Sequence, residues 1–440
     1  MKQFDLIIVG FGKGGKTLAK FAATQGQKVA VIEKSKKMYG GTCINIGCIP
    51  SKTLVHEGIE HGSFEQAFSR KTDVVNALNN KNYHNLADDD NIEVLDYTAK
   101  FKSNHELNLL NEQDEVMETI TSEQIVINTG AKSVIPPIEG IESSQHLYDS
   151  EGIMNLKSQP NHLVIIGGGY IALEFASMFA NFGTKVTVLE RSNDIMTKED
   201  KDIVAEVKKD LADKNVNIVL NADTKKFEDT ENGTIVHTSN GEYTADAVLI
   251  ATGRKPNTDL DLQNTDVKIG EHGEIKVNEY LQTTASNIYA LGDVKGGMQF
   301  TYISLDDFRI VKEQLFGEGQ RSTENRGAVP YTVFIDPPLA RVGLTGAQAK
   351  EQGYNVIENA IPVNTIPRHK INNDSRGLFK AVVNKNNEEI LGATLYGLQS
   401  EEIINLIKLA IDQKLSYKVL KGNIYTHPTM VESFNDLFNM

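Results

Sequence analysis

Leu6-Ile7-Ile8-Val9-Gly10-Phe11-Gly12-Lys13-Gly14-Gly15 opens with four apolar residues that run directly into a glycine-rich turn. A short apolar run closed by glycine reads as a parallel strand buried on both faces. Lys16 to about Thr24 reads as a helix, and Lys28-Val29-Ala30-Val31-Ile32-Glu33 as a second strand. The result is a β–α–β unit carrying G-x-G-x-x-G, with Glu33 lying 23 residues beyond Gly10.

The unit recurs. Leu163-Val164-Ile165-Ile166 leads into Gly167-Gly168-Gly169-Tyr170-Ile171-Ala172, a helix to Phe182, and the strand Lys185-Val186-Thr187-Val188-Leu189-Glu190. Glu190 again stands 23 residues past the first glycine. Glycines let backbone N–H groups approach a pyrophosphate at a helix N-terminus, where the macrodipole favours anions. The acid at the end of the second strand accepts hydrogen bonds from ribose hydroxyls. Glycines serving only tight helix–strand packing would account for one such turn. Two, each closed by an acid at equal spacing, point to two dinucleotide sites.

Between the units lie a polar helical region, about Val55 to Ala87, and an irregular β stretch ending in Ile125-Val126-Ile127-Asn128-Thr129-Gly130. Val248-Leu249-Ile250-Ala251-Thr252-Gly253 repeats that ending in the second half. Both read as a strand running into a small-residue turn near a ligand. Asp88-Asp89-Asp90 reads as a solvated turn, and Pro136-Pro137 and Pro256-Asn257 as crossings between domains. A further strand, Asn287 to Leu291, ends in Gly292-Asp293. From Val329-Pro330 onward, alternating strands such as Leu378–Val383 and an amphipathic helix, Glu401 to Gln413, mark a separate α+β domain. The expected fold is α/β, with two Rossmann-like dinucleotide-binding domains and a C-terminal α+β domain. The expected boundaries are 1–147 and 258–329 for the first domain, 148–257 for the second and 330–440 for the third.

Composition narrows the class. Of 440 residues, 40% are apolar and 24% charged, as in a soluble protein with sizeable cores. A net charge of −14 repels a phosphate backbone, which excludes nucleic acid as a main partner. Leu6–Val9 is too short for a signal core, and no run approaches the ~18 apolar residues of a membrane span. The expectation is a cytoplasmic protein with no membrane partner.

Cys43 and Cys48 are the only cysteines. In a continuous helix, residues five apart stand about 7.5 Å apart along the axis, beyond the roughly 7 Å that a disulfide spans. If the two are bonded, the segment is not an ideal helix, and Gly47 supplies the freedom. So short a loop gains little from chain entropy, so its value would be chemical. Taken alone the pair admits two readings, a cycling dithiol or two buried free cysteines. Two cysteines and scattered histidines give no zinc site, and no metal ligand set is expected.

The glycine units, Gly40-Gly41-Thr42-Cys43 through Cys48-Ile49-Pro50-Ser51-Lys52, Gly292-Asp293 and His427-Pro428-Thr429 form one set. Over essentially the whole chain this set resembles the class I pyridine nucleotide–disulfide oxidoreductases. Ile8–Lys13, Met38–Thr42, Lys52–His56, Asn82–Ala87, Met298–Asp307 and Glu432–Phe438 look closest to the reactive-chlorine-resistance branch, whose relatives include hypothiocyanous acid reductases. The resemblance implies FAD in the first unit, with Gly10, Gly12 and Gly15 at its pyrophosphate, Glu33 at its ribose, and Thr129, Gly130 and Asp293 along it. It implies NADH or NADPH in the second, with Gly167, Gly169, Glu190 and Gly253. Tyr170 matches the residue that covers the flavin until the nicotinamide displaces it. Lys52 and Glu174 match an ion pair beside the flavin.

Cys43 and Cys48 match the family's redox disulfide, Cys48 facing the flavin and Cys43 meeting the substrate as a low-pKa thiol. His427, oriented by Glu432, matches an acid–base pair supplied by the second copy of a homodimer, which implies dimerisation through residues 330–440. Glu190 favours NADH, although the adjacent Arg191 is compatible with NADPH.

Departures from family members bear on the substrate. Tyr425 stands where lipoamide dehydrogenases carry a second histidine, Ser51 where glutathione reductases often carry a lysine, and no cysteine follows Cys48. The last point removes the C-terminal thiol relay of mercuric and some thioredoxin reductases. A small oxidant needing no relay remains, with hypothiocyanous acid, reduced to thiocyanate, the best fit. The alternatives are a dihydrolipoamide dehydrogenase-like enzyme or a mercuric or cupric ion reductase. Tyr302, Asp306, His56 and His84 lie in the branch-like stretches, where packing is the simpler role for each.

Overall fold

The computed structural model describes residues 1–231 and 233–440. Leu6–Val9 sits in a five-stranded parallel sheet in the order Ile288–Ala290, Ile125–Ile127, Leu6–Val9, Val29–Ile32, Ile92–Leu95. His162–Ile166 occupies the same central place in a second parallel sheet, ordered Leu147–Tyr148, Ala247–Ile250, His162–Ile166, Lys185–Leu189, Val216–Val219. Leu6–Val9 in the first sheet and Leu163 to Ile166 in the second are buried, as their apolar runs require. In each sheet the strand order reverses beside the central strand, which opens a crevice at the strand C-termini.

The helix Lys13–Thr24 starts three residues before the expected Lys16, because Gly12 takes an extended conformation (φ −67°, ψ 167°) and serves as the N-cap. The polar region is two helices, Cys48–Ile59 and Phe64–Ala87. They part at a left-handed His61 (φ 59°), and the Ser63 hydroxyl caps the second by accepting the Gln66 N–H. The irregular β stretch is an antiparallel meander, Thr98–Phe101, Glu106–Leu110 and Val116–Ser122, which Lys2–Phe4 joins in parallel. Thr224–Thr230, Gly233–Thr238 and Gly241–Ala245 form the corresponding meander of the second half.

The chain leaves the two small-residue turns in the same way, and Ala131–Ser133 pairs antiparallel with Arg254–Pro256. The C-terminal segment is a five-stranded antiparallel sheet, Tyr331–Val333, Leu339–Gly343, Ile390–Tyr396, Leu378–Asn384, Val356–Pro362, packed by the helix Ser400–Asp412. One apolar cluster runs from Leu54 and Phe68 through Leu173 and Phe179 to Val333 and Leu339. It fastens the cysteine-bearing helix to the second unit and to the C-terminal sheet. Among the described residues no helix is long and apolar enough to cross a membrane.

Candidate active site

The cysteine segment is laid against the first glycine turn. Gly41 has φ +78°, and a Cβ there would fall 2.7 Å from the Gly12 Cα, so no other residue permits the approach. Thr42–Asn45 makes a single helical turn, and Gly47 (φ −125°, ψ −118°) breaks the path before Cys48 begins a new helix. Cys43 and Cys48 therefore do not share one ideal helix, and the two sulfurs come within hydrogen-bonding reach of each other.

Their proton affinities split. Cys48 is lowered to about 6, first by the hydrogen bond from Cys43, then by the Lys52 charge and Thr301, against the opposing effect of burial. Cys48 Sγ lies 3.7 Å from the Thr301 hydroxyl. The Cys43 thiol is pushed up, because its proton is held by Cys48 and burial disfavours its thiolate. This corrects one expectation: the low-pKa sulfur is Cys48, the residue at a helix N-terminus, and Cys43 keeps the proton.

Lys52 Nζ sits 2.5 Å from Glu174 Oε2, across the packed helices Cys48–Ile59 and Tyr170–Asn181. Glu174 Oε1 accepts the Phe334 N–H at 2.8 Å, and Lys52 lies 4.9 Å over the Phe334 ring. The pair is thus fixed by three separate parts of the chain. Tyr170 opens its helix beside it, donating its hydroxyl to Glu199 Oε1 at 2.6 Å and stacking on Tyr331 with ring centroids 5.6 Å apart.

The glycine turns repeat down to single hydrogen bonds. The Phe11 N–H donates to Glu33 Oε2 at 3.1 Å and the Gly168 N–H to Glu190 Oε2 at 2.5 Å. The other oxygens accept from Ser35 and Ser192. Gly10 (φ +104°) and Gly167 (φ +111°) each approach the opposite turn so closely that a Cβ would lie 2.4 Å from the Asn128 oxygen or 2.7 Å from that of Ala251. Gly169, the N-cap of the second helix, supplies no side chain to the first-turn N–H groups, which suits a phosphate, whereas in the first helix Ser304 Oγ and Asn128 Oδ1 accept from Gly14 and Gly15.

Gly15 donates to Asn128 Oδ1 at 2.9 Å, Gly130 takes φ +70°, and a Cβ on Gly253 would meet nothing within 4 Å. The Thr129 hydroxyl donates to the Asn257 carbonyl at 2.7 Å, and the Thr129 carbonyl accepts from Asn257 Nδ2 at 2.9 Å, so the turn is tied to the strand end at Asn257. Asp293, raised by burial, accepts no side-chain hydrogen bond among the described residues. A half-buried carboxyl facing no side-chain donor leaves its oxygens available to a ligand hydroxyl.

His427 Nδ1 lies 2.8 Å from Glu432 Oε2, while the Thr429 N–H holds the other carboxylate oxygen at 3.1 Å. The His427 side chain is 71% exposed and is not part of the cavity over Cys43. Within one chain the structure brings His427 to Glu432 but not to the cysteines.

Residues 4–307 match the pyridine nucleotide-disulphide oxidoreductase family and residues 329–438 its dimerisation domain. The chain belongs to that family. The probable pyridine nucleotide-disulfide oxidoreductase RclA of Escherichia coli is 50% identical over 441 residues, covering 100% of both chains. A mercuric reductase of Staphylococcus aureus is 34% identical over 98% of this chain and 81% of its own. A Cu(II) complex of the HOCl-induced flavoprotein disulfide reductase RclA superposes with TM-score 0.97 at 50% identity, covering 100% of this chain and 99% of that one.

This pyridine nucleotide-disulphide oxidoreductase is an oxidoreductase that works with FAD and NAD(P)H. The uncapped helix N-terminus of the second unit and the half-buried Asp293 carboxyl of the first fit those cofactors. Sequence reading missed Thr301, Asn128 and Glu199 as parts of the site. Thr301 lies inside the branch-like stretch Met298–Asp307, and its place at the start of the helix Thr301–Phe316 sets it against Cys48. Asn128 and Glu199 carry no local pattern, because their partners are more than 100 and 25 residues away in sequence. Asp306 pairs with Arg321 and Arg326, and His84 with Asp88 on the surface.

Proposed function

We propose that this oxidoreductase passes electrons from NAD(P)H through Cys43 and Cys48 to a small oxidant of the reactive-chlorine type, hypothiocyanous acid, and works as a homodimer. The observation that carries this reading is the placement of the pair: Cys48 opens a helix with its sulfur 3.7 Å from the Thr301 hydroxyl, Cys43 lines a cavity beside it, and no third thiol occurs in the chain.

Gly10, Gly12, Gly15 and Glu33 would hold FAD, which when bound would supply two-electron reduction of the disulfide at the expense of NAD(P)H. Reduction leaves Cys48 as thiolate, stabilised by Lys52 and Thr301, and Cys43 as thiol. Once deprotonated, Cys43 attacks the sulfur of hypothiocyanous acid. A sulfur–sulfur bond forms, the sulfur–oxygen bond breaks, and oxygen leaves as hydroxide. The Cys48 thiolate then attacks Cys43 Sγ and expels thiocyanate, which restores the disulfide. The net change is NADH plus hypothiocyanous acid giving NAD⁺, thiocyanate and water.

His427 of the partner subunit, held by Glu432, is the group that takes and returns the Cys43 proton. Its exposure in the single chain and the match of residues 329–438 to a dimerisation domain support that placement. Glu190 supports NADH as the donor, since its carboxylate at the strand end would repel a 2′-phosphate.

Cupric ion reduction is the second reading, favoured by the Cu(II) complex of the relative. Against it, no group of three or more His, Cys, Asp or Glu that could hold a metal ion occurs among the described residues. Steady-state oxidation of NADH with hypothiocyanous acid, lipoamide, glutathione disulfide, mercuric ion and cupric ion, run side by side, tests the reading. Fast turnover with hypothiocyanous acid alone supports it, and preference for any other acceptor contradicts it.

A further inference from the structure

The cavity over Cys43 carries an excess of positive charge in a chain whose net charge is −14. It measures about 420 Å³ and is lined by Cys43, Lys13 and Lys16 from the first helix, Lys81 and Asn82 from the helix Phe64–Ala87, and Thr301. Lys16 is the informative one. Its side chain is buried, and Nζ donates to Asn82 Oδ1 and, at 3.5 Å, to the Gly40 carbonyl. Both acceptors are neutral.

Among the described residues none of the three lysines has a carboxylate in ion-pair range. Lys20, one turn further along the helix, is by contrast paired with Asp89 at 2.8 Å. Burial, and after it repulsion by Lys13, lowers Lys16 to about 8. A desolvated ammonium with no counter-charge is costly unless an anion completes it. The Lys16 and Cys43 charges interact directly, so that anion would stand at the sulfur.

We propose that this cavity is a subsite for small monovalent anions, in which Lys16 and Lys81 receive hypothiocyanite, the conjugate base of the oxidant, and then hold the thiocyanate formed from it. The proposal rests on the function above and names the form of the substrate. Cys43 as thiol plus hypothiocyanite carries the same protons as thiolate plus hypothiocyanous acid. Cys43 Sγ bonds to the substrate sulfur, the sulfur–oxygen bond breaks, and the Cys43 proton, taken by His427 of the partner subunit and returned to the departing oxygen, leaves with it as hydroxide. A protonated Cys43 is therefore matched to an anionic substrate, and the lysines offset the repulsion between that anion and the Cys48 thiolate. The same charges would disfavour cupric and mercuric ions.

Alkylation of Cys43 in the NADH-reduced holoenzyme tests the site without using the oxidant. Iodoacetate and iodoacetamide differ chiefly in charge, and peptide mass identifies the sulfur modified. The wild-type protein is expected to favour iodoacetate at Cys43, with thiocyanate slowing that reaction and leaving iodoacetamide unaffected. K81Q and K16M should lower the iodoacetate-to-iodoacetamide ratio, together by about tenfold, a size typical of local charge focusing. Lys81 is exposed on its helix, so K81Q keeps the test alive if K16M does not fold. An unchanged ratio in K81Q, or no protection by thiocyanate, overturns the anion site. Failure to turn over hypothiocyanous acid with the ratio lowered as expected would instead overturn the substrate reading and leave the anion site standing.

Discussion

Gly10 presses against the Asn128 carbonyl in the first dinucleotide unit, and Gly167 against that of Ala251 in the second. The acids Glu33 and Glu190 grip their turns through equivalent N–H groups. Beyond those contacts the units diverge. In the first, Asn128 Oδ1 accepts from Gly15, Asn128 Nδ2 donates to the Leu291 carbonyl at 2.9 Å, Ser304 Oγ accepts from Gly14, and Gly41 lies against Gly12. In the second, Ala251 has no side-chain polar group to offer, and Gly169 has open space where a Cβ would be. The first turn is locked from three directions and the second is left accessible. That difference suits a resident cofactor in one unit and an exchanging one in the other, and it shows how one supersecondary unit serves both uses by changing what surrounds its helix N-terminus.

Removing the relay between the units should have the largest effect. Cys43→Ser or Cys48→Ser is expected to lower NADH-dependent oxidant reduction by roughly three orders of magnitude or more, measured as steady-state turnover, with FAD content unchanged. The glycines come next. Gly10→Ala should yield protein depleted of flavin, whereas Gly167→Ala should retain its flavin and show a raised KM for the nicotinamide. Equal flavin loss in both would break the assignment of cofactors to units. His427→Ala should slow turnover by about 10²–10³-fold, within the range of general acid–base catalysis, and Glu432→Gln by less.

The pH dependence follows from the lowered Cys48. A thiol held at about 6 is thiolate above that pH and takes up its proton as pH falls through it. The thiolate signal of the reduced enzyme should therefore fade on acidification with a midpoint near 6. Lys52→Met, which removes a charge that lowers Cys48, should move that midpoint upward. The smallest effect should be structural. Asn128→Ala strips donor and acceptor from a buried site and should cost about 1–3 kcal/mol of stability, read as a fall in the unfolding midpoint.

Most of the fold was legible because its signals are local. Apolar strands, glycine turns and an acid 23 residues on lie within about 30 residues of one another, and the repeat doubled the signal. The pairs Lys52–Glu174 and His427–Glu432 were reached through resemblance, and the structure brings each together. What escaped were contacts between distant segments. Gly12 as an extended N-cap moved the helix start because the turn itself supplies that conformation. The proton distribution over the two cysteines could not be read from their spacing, since it depends on Lys52 one helical turn after Cys48 and on Thr301, 253 residues away.

Anaerobic titration of the NADH-reduced enzyme with hypothiocyanous acid, with removal of excess NADH beforehand, tests the central claim most directly. The account predicts that one equivalent of oxidant converts the Cys43–Cys48 dithiol to a disulfide and releases one equivalent of thiocyanate. Thiocyanate release with both thiols still free would contradict it.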